Sequence, residues 1–111
     1  MATTALTLDN FEKTVTQQGV VLVDFWASWC GPCMRFAPVY DAASDKHEDI
    51  TFAKVDTEAE QDLAGQLDIQ AIPTLMAFKD GTLIFRNAGA LNGAQLDQLI
   101  GQIREFEPQK A

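Results

Sequence analysis

The sequence predicts an α/β fold with a mixed central five-stranded β-sheet flanked by four helices, on three observations. Val20–Trp26 (VVLVDFW) is a continuous apolar, β-rich run, the pattern of a strand buried on both faces. Strand-like and helix-like segments alternate through the first half of the chain, an order that requires parallel crossovers. Later, two strand-like runs flank Asp80-Gly81, a tight-hairpin signal that adds an antiparallel edge.

Residues 5–8 (ALTL) read as a short first strand. Asp9 follows as an N-cap with Glu12 three residues on, the spacing of a capping box. The helix it opens is expected to reach about Gln18, with Gly19 just past its end. After Val20–Trp26 comes a long helix over residues 33–46. Pro38 lies inside it and is expected to kink it, because proline lacks an N–H and crowds the preceding turn. Residues 50–56 (ITFAKVD) form the third strand. Residues 58–67 (EAEQDLAGQL) form a short helix with Leu63 and Leu67 on one face. Residues 74–79 and 82–87 are the arms of the hairpin, and both central positions of a type I′ turn need positive φ. The last helix opens at Asn92, with Gln95 three residues on and an inward stripe of Leu96, Leu99, Ile100 and Ile103. Residues 107–111 read as a frayed tail, leaving one domain over 1–111 with its core at about 6–106.

The net charge is 8 − 16 = −8. An acidic surface is repelled by phosphate backbones and anionic lipid, which argues against nucleic-acid and membrane partners. No apolar stretch approaches the roughly 20 residues of a membrane span, and the first residues lack a secretory pattern, so a cytoplasmic protein is expected. Two cysteines are too few for a disulfide framework. With His47 the single histidine, one chain cannot build a closed four-ligand Cys/His zinc site, and no metal is expected.

Both cysteines, Cys30 and Cys33, fall within FWASWCGPCMRFAP, between the buried-type strand and a helix. With Cys30 at the helix start and Cys33 one turn in, the two sulfurs can reach bonding distance across the stiff Gly31-Pro32 spacer. Unsatisfied N–H groups and the partial positive charge of the helix N-terminus would stabilise a Cys30 thiolate, making Cys30 the more nucleophilic sulfur. A lone CxxC also fits a structural disulfide, half a metal site or inert buried thiols. Its place after a buried strand in a βαβ pattern points instead to redox chemistry. Asp24 is the only acid in its apolar strand. If it faces inward its pKa should rise toward the range useful for proton exchange, whereas at the strand's edge it would be ordinary surface.

The segments VDFWASWCGPC, AIPT, FKDG and AGAL, in this order and spacing, resemble the thioredoxin family over about residues 6–106. The resemblance implies the thioredoxin fold and reduction of partner-protein disulfides by dithiol–disulfide exchange. Cys30 would be the nucleophile, Cys33 the resolving thiol, Asp24 the proton acceptor and donor, and Lys54 the cation that tunes Asp24. It implies a cis bond before Pro73, lying against the cysteine pair. That turn would leave backbone groups of Ile72 and Thr74 free for an extended substrate segment. Trp29, Gly31, Pro32, Ile72 and Gly89 would form an apolar contact surface, with Trp26 packed beneath. No bound cofactor is implied beyond the redox-active Cys30–Cys33 disulfide. Electrons would come from NADPH through a flavin-dependent thioredoxin reductase, itself a partner alongside disulfide-containing target proteins, and the chain would be a monomer. Many family members carry lysine after the second cysteine, where this chain has Met34 and then Arg35. An oxidant or isomerase differs from a reductase only in potential. A binding module with incidental cysteines is a separate alternative. A cluster bridging two chains would be crowded by Pro73. His47 is expected to complement the dipole at the end of the long helix as a cation, and Asp56, Glu58, Glu60 and Asp62 to form a solvated face.

Overall fold

The computed structural model describes residues 3–107. The elements run β1 (Thr3–Ala5), α1 (Phe11–Val15), β2 (Val20–Trp26), α2 (Gly31–Lys46), β3 (Thr51–Asp56), α3 (Gln61–Gln66), β4 (Thr74–Lys79), β5 (Thr82–Ala88) and α4 (Gly93–Glu105). The strands form one sheet in the order β1-β3-β2-β4-β5. β3 runs parallel to both β1 and β2, and β4 runs antiparallel to both β2 and β5. This is the mixed five-stranded sheet with four helices that the sequence predicts.

β2 explains its own composition. Val21, Val23 and Phe25 pack with Phe11, Val15 and Leu63 of α1 and α3. Leu22 faces the opposite layer, with Phe36 and Tyr40 of α2 and Leu96, Ile100 and Ile103 of α4. Both faces are covered, so the strand is apolar at nearly every position. Asp24 shares the α2/α4 face with Leu22, because side chains alternate along a strand. In the hairpin, Asp80 (φ 50) and Gly81 (φ 85) both take the positive φ of a type I′ turn. α4 opens on a complete Asn92–Gln95 capping box.

Several boundaries differ from the sequence reading, and those of β1, α1 and α3 do so for local reasons. The first strand is Thr3–Ala5, not residues 5–8: the chain leaves β3 after Leu6, whose N–H donates to the Lys54 carbonyl at 2.8 Å while its side chain enters the core. The Asp9–Glu12 capping box does not form. Asn10 is the N-cap of α1 and makes no side-chain cap bond, because its Oδ1 accepts the Thr7 N–H at 2.7 Å instead. α1 stops at Val15 rather than Gln18, with the Thr16 hydroxyl turned back onto the Glu12 carbonyl at 2.7 Å. α3 is trimmed to Gln61–Gln66 because Asp56 Oδ1 draws the Glu58 amide into a turn at 2.9 Å and Leu67 becomes the C-cap. Of the acidic stretch, Glu60 is also engaged, accepting the Leu8 N–H at 2.9 Å. In the predicted tail, Glu107 lies exposed beyond α4, and residues 108–111 lie outside the described residues. Among the described residues no helix is long and apolar enough to cross a membrane.

Candidate active site

α2 begins two residues before the predicted position 33, and Cys30 is the reason. Cys30 is the N-cap, with extended backbone (φ −89, ψ 110), and its Sγ accepts the Cys33 N–H at 3.2 Å. A sulfur here does what a serine or aspartate oxygen does at other helix starts. Pro32, in the first turn, has no N–H to leave unsatisfied. The first turn contains no acidic residue, so nothing opposes the positive end of the helix. The two cysteines are disulfide-bonded, their Cα atoms 5.2 Å apart. Both are buried, packed with Ala27 and flanked by Trp26 and Ile72.

The loop before β4 closes over this pair. The Ile72–Pro73 bond is cis, and the Ile72 carbonyl oxygen lies 3.7 Å from Cys30 Sγ. The Pro73 carbonyl accepts the Gly89 N–H at 2.8 Å, tying the loop to the end of β5. Gly89 sits at φ +115, a backbone region that favours glycine, with open space where a Cβ would project. Ile72 is half-buried. Thr74 is already in the sheet: it opens β4, with Cα partners Phe25 on one side and Ala88 on the other, and its hydroxyl turns back to the Ala71 carbonyl. Of the two residues expected to offer backbone to a substrate, Ile72 is therefore the one at the sulfur. Around the pair, Trp29 is 68% exposed and Met34 40% exposed, with Gly31 and Pro32 also at the surface. Trp26 packs beneath, as expected.

Asp24 is fully buried and neither of its carboxylate oxygens has a hydrogen-bond partner. Burial pushes its pKa up from 3.8 to about 7, against the lowering effect of Lys54 and with a smaller push from Asp41. Lys54 is the Cα partner of Asp24 across the β2–β3 ladder. Its ammonium lies over the Trp26 ring, 5.0 Å from the centroid, so it acts on Asp24 through space. Among the described residues, no group of three or more His, Cys, Asp and Glu side chains could hold a metal ion.

The far end of α2 is arranged differently. His47 is the C-cap residue, with Nε2 3.3 Å from Asp97 Oδ1 and Nδ1 3.0 Å from Arg104 Nη2. Both ring nitrogens of His47 therefore lie within reach of α4 side chains. His47 is thus a structural link to α4, through both ring nitrogens. The cation at this helix end is Lys46, paired with Asp97 at 2.6 Å. Sequence reasoning missed Tyr40, a fully buried phenol on α2 whose hydroxyl donates to the Ala53 carbonyl at 2.8 Å. The only signal was its spacing, seven residues after Cys33 on the inner helix face.

Comparison with known proteins agrees with this geometry. A family model described as Thioredoxin matches residues 2–103. The chain is 47% identical over 106 residues to the Streptomyces coelicolor protein named "Putative thioredoxin 2", covering 96% of this chain and 79% of that one. It is 38% identical over 95 residues to the thioredoxin of Coprinus comatus, covering 84% and 89%. Among solved structures it resembles Malassezia sympodialis thioredoxin, with a TM-score of 0.81 and 33% identity, covering 92% and 93% of the two chains. It also resembles Plasmodium falciparum thioredoxin, with a TM-score of 0.81 and 34% identity, covering 89% and 97%.

Proposed function

Because the chain belongs to the thioredoxin family, we propose that this thiol–disulfide oxidoreductase runs in the reducing direction, converting disulfides of partner proteins to dithiols. The observation that carries the exchange chemistry, with Cys30 as the attacking sulfur, is that sulfur's seat as the cap of α2, accepting the Cys33 amide. A group stabilised there by an N–H donor and the helix dipole is better stabilised as an anion, and the thiolate is the attacking species.

In the reduced chain the Cys30 thiolate attacks one sulfur of the partner disulfide. A bond forms between Cys30 and that sulfur, the partner's S–S bond breaks, and the other partner sulfur leaves as a thiolate and takes a proton. Cys33 then gives its proton to the Asp24 carboxylate and attacks Cys30 Sγ. The second partner sulfur leaves, and the Cys30–Cys33 bridge remains. Two electrons have passed to the partner. An acid with a pKa of about 7 suits both halves of this exchange near neutrality. Lys54 keeps part of the Asp24 population ionised.

The exposed Trp29, Gly31 and Pro32, with Ile72 and Gly89, receive the partner's extended segment. The Ile72 backbone pairs with it, and open space above Gly89 admits it. Thr74, after cis-Pro73, shapes that loop through its bond to Ala71. The chain works as one unit over 1–111 and as a monomer, in the cytoplasm. It is recharged from NADPH by a flavin-dependent thioredoxin reductase and carries electrons between that reductase and its targets. Trapping tests these roles. Reduced Cys33→Ser offered insulin is expected to accumulate a mixed disulfide through Cys30, and recovery of no covalent adduct would remove the assignment.

A further inference from the structure

The mechanism above uses Asp24 but not the second buried ionisable group beside it. Tyr40 is completely buried on the inner face of α2, in line with Cys33 and Phe36. Its ring packs on Phe36 at 5.5 Å and edge-on against Phe52 at 5.2 Å between centroids. Phe52 is the Cα partner of Leu22, one step along the same sheet face from the Asp24–Lys54 pair. The Tyr40 hydroxyl donates to the Ala53 carbonyl at 2.8 Å. Lys54's own carbonyl is taken by Leu6, on the β1 side. Successive carbonyls of a strand face opposite neighbours, so the Ala53 carbonyl faces β2, beside Asp24. α2 therefore lies over the carboxylate with Cys33 toward the redox end and Tyr40 toward the interior end.

From this arrangement we propose that Tyr40 is a positioning residue for Asp24: its ring closes the inner end of the carboxylate's chamber against water, and so sets the pH at which Asp24 yields its proton. This deepens the assignment of Asp24 as proton acceptor and rests on it. The groups facing Asp24 are few. Lys54 bears on it from β3, Asp41 and Tyr40 from α2, and Cys33 stands in line on the same helix face. From β4 the opposite residue is the apolar Leu75. The Asp24 charge in turn adds to the burial that pushes the Tyr40 phenol up, in keeping with the two being neighbours. With neither oxygen of Asp24 hydrogen-bonded, exclusion of water is the main lever on its protonation.

The test is the Asp24 carboxyl titration in the oxidised protein, followed by carbon NMR, in wild type and in Tyr40→Phe, Tyr40→Val and Tyr40→Ala. Tyr40→Phe keeps the ring and is expected to titrate within about 0.3 pH unit of wild type. Tyr40→Ala admits water and is expected to titrate lower by about one pH unit or more. Tyr40→Val is expected to lie between them and serves if the alanine variant does not fold. A folded Ala or Val variant that titrates with wild type would overturn the proposal, as would a Phe variant shifted as far as Ala. A role in packing alone lowers thermal stability and leaves the midpoint in place. The acid limb of the disulfide-reduction pH profile, measured on the same variants, separates the two ideas. A midpoint that moves while the profile stays fixed upholds Tyr40 and removes Asp24 as the base.

Discussion

The two ends of α2 are built on opposite principles. At the N-terminal end the helix is capped by one sulfur, the first turn carries no acid, and the neighbouring side chains, Trp29 and Met34, lie open to solvent. At the C-terminal end Lys46 and His47 both reach Asp97 on α4, and Arg104 of α4 reaches back to His47 and Asp49. The Arg104 guanidinium holds the Asp49 carboxyl down at about 2, and Lys46 and then His47 hold the Asp97 carboxyl below its ordinary value. Charge at one end is satisfied by partners. At the other end the dipole is left for a reacting sulfur to use. The ion pairs mount α2 on α4 at the helix end opposite the reacting sulfur.

The largest expected effect comes from breaking the reactive end. Cys30→Ser should abolish reduction of insulin disulfides, because an alcohol in that position is neither ionised nor a leaving group in exchange. Residual turnover near the wild-type rate would contradict this. Next is the base between the two ends. Asp24→Asn should slow turnover at pH 7 by roughly 10- to 100-fold, read from the pH dependence of kcat.

The same substitution has a signed effect on stability. The Asp24 pKa rises from 3.8 to about 7 on folding, so the folded chain holds that proton more tightly. Its stabilising contribution is fully present below pH 3.8 and is lost as pH rises through about 7. The loss over that span is on the order of 4 kcal/mol. Asparagine does not ionise, so Asp24→Asn should gain on wild type in denaturant midpoint from pH 4 to pH 8. A difference that does not change with pH would show that Asp24 titrates normally.

The smallest effect belongs to the anchored end. Arg104→Ala should lower stability by about 1 kcal/mol or less, as exposed ion pairs do, and leave the reduction rate at saturating substrate unchanged. Its destabilisation should shrink in high salt. A large loss of rate would mean that the mount is not separate from the chemistry.

The parts of this molecule that could be read from sequence are those whose signals close locally. The doubly covered strand shows in seven successive residues, the Asp80-Gly81 turn in two, and the Asn92–Gln95 box within one helical turn. The Asp9–Glu12 box has the same spacing as Asn92–Gln95 and does not form. Asn10 at the N-cap turns its oxygen to the Thr7 amide, a competition between adjacent polar side chains that spacing does not resolve. At the site, Cys30 and Cys33 were legible from their motif, the cis bond at Pro73 only through the family resemblance, and apolar context left Asp24 open between burial and the strand's edge. Two features were not legible: the Ile72 carbonyl beside Cys30, and the Tyr40 bond to Ala53, which joins residues 13 apart. Each depends on how α2 docks on the sheet.

Titration of the Cys30 thiol in the reduced protein tests the central claim most directly, by following thiolate absorbance or the pH dependence of alkylation. A sulfur stabilised by the Cys33 amide and the helix end should ionise below the free-cysteine value of about 8.5, with Cys33 following at higher pH. A Cys30 thiol that stays protonated to that value or beyond would contradict the account.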